Sequence, residues 1–129
     1  MAEPTGKRIL IVDDANLVRR FYREALLRAG FEVDEALNGV EGLEKALERS
    51  YDLAIVDVNM PQMDGLAFIR ALRRQDEPIS SLPCVVISTE ARDHDRAAAR
   101  AAGANFYLVK PVGQELLVEH VSILCGLPA

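Results

Sequence analysis

Five short apolar runs, spaced too far apart to close as hairpins, set the architecture of this chain. They fall at residues 7–12, 31–36, 52–58, 83–88 and 105–109. Their wealth of Ile, Val and Leu is that of strands covered on both faces of a sheet. The segments between them have helical spacing. In the first, Val18, Phe21, Tyr22, Ala25, Leu26 and Ala29 form one apolar stripe, and Gly30 supplies the stop. The second opens at Asn38, with Glu41 three residues on as a capping-box variant, and continues through Val40, Leu43, Ala46 and Leu47. The third starts at Asp64-Gly65 and carries Leu66, Ile69 and Leu72. The fourth is Ala-rich over residues 93–102 and ends at Gly103; the fifth carries Leu117, Val121 and Leu124 before Gly126. Strands alternating with helices in this way predict a parallel sheet with right-handed crossovers and helices on both faces, an α/β sandwich. The longest irregular connection, residues 74–82, contains Pro78, Ser80 and Ser81 and reads as a surface loop.

Size and composition narrow the function classes. The chain has 129 residues and is half apolar, enough to bury one core without staples. We expect one domain over residues 1–129, with no separate output domain. The 15 Lys and Arg against 20 Asp and Glu leave a net charge of −5, which argues against a general nucleic-acid binder. No apolar run exceeds the length of Ile9-Leu10-Ile11-Val12, so neither a membrane span nor a signal-peptide core fits. Cys84 and Cys125 stand far apart in dissimilar contexts and read as reduced thiols of a cytoplasmic protein.

The informative residues are polar groups at the ends of the apolar runs. The first run leads into Asp13-Asp14, the third contains Asp57, the fourth ends at Ser88-Thr89, and the fifth leads into Lys110-Pro111. In open parallel sheets, ligands collect outside the carboxyl ends of the strands. If the first strand neighbours the third, the third the fourth and the fourth the fifth, these groups converge on one crevice. Two carboxylates about 5 Å apart repel by on the order of 3 kcal/mol at an effective dielectric near 20. Three together call for a cation, and an all-oxygen donor set suits Mg²⁺, or Mn²⁺ in its place, rather than zinc. Lys110 adds a fixed positive charge opposite. A phosphoryl group would bridge metal and lysine, and Asp57 would be the nucleophile that accepts it as an acyl phosphate. Taken singly, Asp13-Asp14 also reads as a turn and helix cap, and Lys110 as a snorkelling strand-end lysine. Asp57 resists such a reading, because an unpaired charge within a buried run is costly.

The runs Ile11-Val12-Asp13-Asp14, Asp57-Val58-Asn59-Met60-Pro61-Gln62-Met63-Asp64-Gly65, Ile87-Ser88-Thr89-Glu90 and Val109-Lys110-Pro111 carry a family resemblance. Over about residues 7–125 the chain resembles the CheY-like receiver domains of bacterial two-component response regulators. The resemblance implies a flavodoxin-like (βα)5 sandwich with strand order 2-1-3-4-5. It implies that Asp57 accepts a phosphoryl group from a sensor histidine kinase or phosphotransfer protein. Mg²⁺ would be held by Asp14 directly, Asp13 largely through water, Asp57, and the Asn59 backbone carbonyl. Ser88 would donate a hydrogen bond to one phosphoryl oxygen and Lys110 would pair with another. A cis bond before Pro111 would aim Lys110 into the site. Tyr107 matches the aromatic switch position: Ser88 is drawn inward and Tyr107 fills the vacated space. The surface of the fourth helix, fifth strand and fifth helix then changes for a downstream protein target.

On this reading the chain is a stand-alone cytoplasmic signalling switch that catalyses its own phosphorylation and dephosphorylation at Asp57. It involves no nucleic acid and no membrane insertion. Asn59 and Glu90 match the chemotaxis pattern, which points to a flagellar-motor component as target. Three departures from the family pattern stand out: Ser88 for the commoner Thr, a bulky Thr89 beside it, and Val112 where an aromatic often follows the Lys-Pro pair. One alternative is a phosphorelay intermediate that passes the phosphoryl group to a histidine. Another is a phosphatase of the haloacid-dehalogenase type, but that chemistry wants a second acid where this chain has Asn59. Arg92, Arg96 and Arg100 read as a solvated basic stripe paired with Asp93 and Asp95, or as a docking face for an acidic segment. Arg19, Arg20 and Arg23 on the first helix read in the same way, as a solvated face or as a contact for a kinase or its phosphotransfer domain. His94 and His120 read as surface and core-edge residues.

Overall fold

Each apolar run becomes a strand and each intervening segment a helix in the computed structural model, which describes residues 2–128. The elements are β1 (Arg8–Val12), α1 (Asn16–Arg28), β2 (Glu32–Ala36), α2 (Gly39–Glu48) and β3 (Leu53–Asp57). Then follow α3 (Gly65–Arg73), a short 3-10 turn (Ile79–Ser81), β4 (Cys84–Ser88), α4 (Asp93–Ala102), β5 (Phe106–Val109) and α5 (Gln114–Leu124). All neighbouring strands are parallel, in the order β2-β1-β3-β4-β5. Ile9 lies opposite Val33 on one side and Leu53 on the other, which places the start of β1 centrally in the sheet.

The twofold alternation of strand side chains divides the core. Leu10, Val12, Ala54, Val56, Cys84 and Val86 face Ala46 of α2, Phe68, Ile69 and Leu72 of α3, and Ala99 of α4. Ile9, Ile11, Leu53, Ile55, Val85 and Ile87 face Tyr22 and Leu26 of α1 and Leu117 and Val121 of α5. Three helices thus cover one face and two the other. The expectation of strands buried on both faces holds for β1, β3 and β4 and fails for the two edges. Only Ala36 is buried in β2, and no residue of β5 is. An edge strand lacks a neighbour on one side, and β2 carries Glu32, Asp34 and Glu35 there, a charged edge that discourages pairing with other chains.

The capping signals act as read. Asn38 accepts the Glu41 N–H at 2.9 Å, while the Glu41 carboxylate takes the N–H of Leu37 at 3.2 Å, one residue before the cap. Asp64 accepts the Ala67 N–H at 2.8 Å, and Gly103 closes α4 at φ 112°. No described helix is long and apolar enough to cross a membrane.

One guanidinium ties the far end of the sheet together. Arg73 donates to Gly103 O (3.1 and 2.7 Å), Ser80 O (3.1 Å), Leu82 O (2.8 Å) and Asn105 Oδ1 (2.9 Å). Asn105 Oδ1 in turn accepts the Cys84 N–H at 2.8 Å. Arg73→Met strands these acceptors, and the expected cost is about 2 kcal/mol. In a domain of this size that is about 5–10 °C in Tm by calorimetry. An unchanged Tm would show the clamp to be idle.

Candidate functional site

The carboxyl ends of β1, β3, β4 and β5 meet at one edge. Asp13 follows β1 directly, and its backbone is fixed there: its N–H donates at 3.1 Å to the carbonyl of Ala36, the last residue of β2. Its Oδ1 accepts the Ala15 N–H at 2.9 Å, which turns the chain into α1. Asp57 is the last residue of β3 and is 9% exposed; Asp13 is 3% exposed. Asp14 is exposed at the mouth. Carboxylate oxygens of Asp13, Asp14 and Asp57 lie within 4.8 Å of one another.

Lys110 completes the cluster. Its Nζ is 3.3 Å from Asp57 Oδ1 and 3.8 Å from Asp13 Oδ2. Its backbone N–H donates to Ser88 O at 2.8 Å, continuing the β4–β5 ladder one residue past β5, and the Lys110–Pro111 bond is cis as expected. The ammonium is only partly withdrawn from water and pairs with buried carboxylates, so the snorkelling alternative does not describe it.

Ser88, the last residue of β4, is 1% exposed. Its Oγ accepts the Glu90 N–H at 3.1 Å. The Tyr107 O–H donates to the Glu90 carbonyl at 2.7 Å, and the Arg96 guanidinium sits 5.1 Å from the Tyr107 ring centre. Ser88 and Tyr107 are thus joined through one loop residue. Both also line a small cavity of about 50 Å³ with Val58, Leu66, Asp95 and Ala98. Thr89 is exposed. Asn59 lies on the exposed loop between β3 and α3. Where α3 begins, the chain returns so close to Asp57 that a Cβ on Gly65 would sit 2.1 Å from the Asp57 carbonyl oxygen, so only glycine fits.

The electrostatics are those of a site short of positive charge. Burial, then the Asp13 charge, raises the Asp57 carboxyl above the usual Asp range, against the opposing pull of Lys110. Burial also raises Asp13, opposed by the Ala15 N–H and Lys110. Tyr22, beneath the site, is pushed up to about 12 by burial and by both carboxylates. One ammonium does not neutralise this cluster. Three oxygen donors within reach of one another, two buried and one at the mouth, fit a hard divalent cation.

Other assignments divide. His94 is exposed beside Asp95, and His120 lies against Phe106 with ring centres 5.0 Å apart. Neither belongs to the site. Arg92 pairs with Asp95 at 3.0 Å and with Glu90 at 3.7 Å. Cys84 and Cys125 are free thiols, each pushed up to about 11 chiefly by burial, and so are weak nucleophiles. Two expectations for the first helix need correction. Phe21 is 43% exposed, and with Leu17, Val18, Tyr22, Pro111 and Val112 it lines an apolar groove of about 330 Å³ that adjoins Lys110. Arg19 is 6% exposed and not available to a partner. It lies three and seven residues before Tyr22 and Leu26, on the buried stripe, a periodicity that marks it as inward-facing.

The comparisons with known proteins agree with this geometry. A family model described as "Response regulator receiver domain" matches residues 9–122. The chain is 40% identical over 121 residues to part of the sensor protein EvgS of Escherichia coli, covering 94% of this chain and 10% of that protein. It is 39% identical over 120 residues to the transcriptional regulatory protein PrrA of Mycobacterium tuberculosis, covering 93% of this chain and 50% of that protein. The chain therefore spans between a tenth and a half of the curated relatives it matches. The structure of the chemotaxis protein CheY4 of Vibrio cholerae superposes with a TM-score of 0.85 at 34% identity, covering 92% of this chain and 98% of that one.

Proposed function

The chain belongs to the response regulator receiver domain family, and on that premise we propose that Asp57 is its phosphoacceptor in a Mg²⁺-dependent reaction. The observation that carries this reading is the meeting of three carboxylates with Lys110, 3.3 Å from Asp57, at one sheet edge. A receiver domain of a response regulator accepts a phosphoryl group in two-component signalling, and its donor is a histidine kinase or phosphotransfer protein. Here an Asp57 carboxylate oxygen forms the new bond to phosphorus. The phosphorus–nitrogen bond of the donor phosphohistidine breaks, and the imidazole keeps the electron pair. Lys110 balances charge on the phosphoryl oxygens. Ser88 turns its buried hydroxyl from the Glu90 N–H toward a phosphoryl oxygen. Asp13, Asp14, Asp57 and the Asn59 carbonyl would hold Mg²⁺, whose chemistry there is to offset the negative charge of the phosphoryl group. Water later attacks phosphorus, the bond from phosphorus to the Asp57 oxygen breaks, and inorganic phosphate leaves as the Asp57 carboxylate is restored.

The output follows from the Ser88–Glu90–Tyr107 chain of contacts. When Ser88 turns, the Glu90 segment moves with it and Tyr107 loses its present partner. The ring then enters the cavity it already lines, and the surface of α4, β5 and α5 changes. The same unit of about 120 residues occurs in a sensor protein, a transcriptional regulatory protein and a chemotaxis protein. Chemotaxis, with a flagellar-motor component as the target, is the reading favoured by Asn59, Glu90 and the likeness to CheY4. The identity to part of a sensor protein supports a relay role as the second reading. The apolar groove of Leu17, Phe21, Pro111 and Val112 beside Lys110 is where the phosphodonor would rest.

Intact mass after incubation with acetyl phosphate and Mg²⁺ tests the central reading: one labile phosphoryl group per chain is expected. No label, with or without Mg²⁺, would overturn it. Capture on the beryllofluoride-treated protein separates the two outputs: a flagellar-motor component supports chemotaxis, and a histidine phosphotransfer protein alone supports the relay.

A further inference from the structure

A buried arginine behind an acidic site is an unusual expense, because desolvating a guanidinium costs several kcal/mol unless its donors are met. Each of the three guanidinium nitrogens of Arg19 finds an acceptor within the frame of the site. Its Nη1 donates to the Asp13 carbonyl oxygen at 2.6 Å, a buried bond. Its Nε donates to Glu35 Oε1 at 3.2 Å, and its Nη2 to Asn16 Oδ1. Glu35 is itself held from the other side by Arg23, 2.8 Å from Oε2. One fork thus joins α1, the β1–α1 turn and β2.

The consequence falls on Asp13. Its backbone is held on both sides, by its own N–H to Ala36 O and by Arg19 at its carbonyl. Its Oδ1 is occupied by the Ala15 N–H, which leaves Oδ2 facing Lys110 and the other carboxylates. Each contact removes a freedom that would let Asp13 relax away from Asp57, as like charge urges. We propose that Arg19, neutralised and oriented by Glu35, is a positioning residue that holds Asp13 in place and so sets the affinity of the acidic cluster for a divalent cation. This rests on the reading of that cluster as a cation site. Groups that orient metal ligands from behind typically contribute 10–100-fold in affinity.

Two effects of removing Arg19 have opposite signs, which makes the role measurable. A lost positive charge near three carboxylates tightens cation binding. A lost hold on Asp13 weakens it. Arg19→Lys keeps the charge but lacks the fork that reaches Asp13, Glu35 and Asn16 together. Arg19→Met removes both charge and fork.

The test is Mn²⁺ binding followed by electron paramagnetic resonance on the folded proteins, well below their melting temperatures, with no phosphodonor present. Arg19→Lys is expected to raise Kd by about 10-fold or more. Arg19→Met is expected to weaken binding as well, despite its lost charge. Asn16→Ala, which removes the acceptor of Arg19 Nη2 and changes no charge, keeps the test open if the Arg19 variants fail to fold. It is expected to raise Kd by several-fold. A merely structural Arg19 would lower the melting temperature and leave Kd of the folded protein where it was, and that result overturns the proposal. Tighter binding by Arg19→Met also overturns it, because charge alone then accounts for the residue. A wild-type chain that binds no Mn²⁺ would instead overturn the cation-site reading, and this inference with it.

Discussion

Asp57→Asn is expected to lose phosphoryl labelling by acetyl phosphate altogether, a fall in initial rate of more than about 1,000-fold, or about 4 kcal/mol of barrier. The amide is isosteric with the carboxylate, so packing at the end of β3 is retained while the anionic nucleophile is gone. No neighbour is placed to substitute. Asp13 has one oxygen committed to the Ala15 N–H and its backbone pinned from both sides. Asp14 stands exposed at the mouth. Lys110 lies nearer to Asp57, at 3.3 Å, than to Asp13, at 3.8 Å. The wild-type label should also be released by hydroxylamine, as an acyl phosphate is and a phosphoserine is not. Undiminished labelling of Asp57→Asn, or a hydroxylamine-stable label on the wild type, would move the acceptor to another residue.

How much of this was legible beforehand depended on whether a residue's role was local. Asp13, Asp14, Asp57, Ser88 and Lys110 each follow or end an apolar run, and a parallel sheet brings such positions to one edge whatever the loops do. The helix caps at Asn38 and Asp64 were legible for the same reason, since their partners lie three residues away. Strand order was not local and came with the family resemblance. Arg19 was misread although its spacing placed it on the buried stripe, because a charged side chain is assigned to solvent until a partner is known. Its partner, Glu35, is 16 residues away on β2. Arg73 was invisible on the same ground, since its acceptors lie in two different connections, α3–β4 and α4–β5. The half-exposed edges followed from strand order, which no run reveals by itself.

The acidic cluster should make this protein's stability depend strongly on a divalent cation. Without a cation, the folded state confines charges that the unfolded chain keeps apart. Mg²⁺ at about 100 times its Kd would add about 2.7 kcal/mol by binding the folded state alone, about 10 °C in Tm. Asp57→Asn should reverse the order of the two proteins. In chelator at pH 7.5 the variant is expected to melt higher than the wild type. The gain is on the order of 1 kcal/mol, the repulsion of neighbouring carboxylates less the attraction of Lys110. In saturating Mg²⁺ the wild type should melt higher. The pH dependence follows from the raised carboxyls of Asp57 and Asp13. A folded state that holds protons more tightly than the unfolded chain gains stability as pH falls through the raised value, fully so below the ordinary Asp value of 3.8. The metal-free advantage of Asp57→Asn should therefore shrink on acidification, as the wild-type carboxyl takes up its proton. Asp34, whose carboxyl is held low by Tyr51 and Arg49 against the effect of its burial, pulls the other way in both proteins and cancels in their difference. Protons also compete with the cation for the same oxygens, so the Mg²⁺ increment of the wild type should fall over the same range. Calorimetric melts of both proteins, with Mg²⁺ and with chelator, across this range decide the matter. A wild type that melts at one temperature in both conditions would mean that these carboxylates are neither strained apart from a cation nor relieved by one.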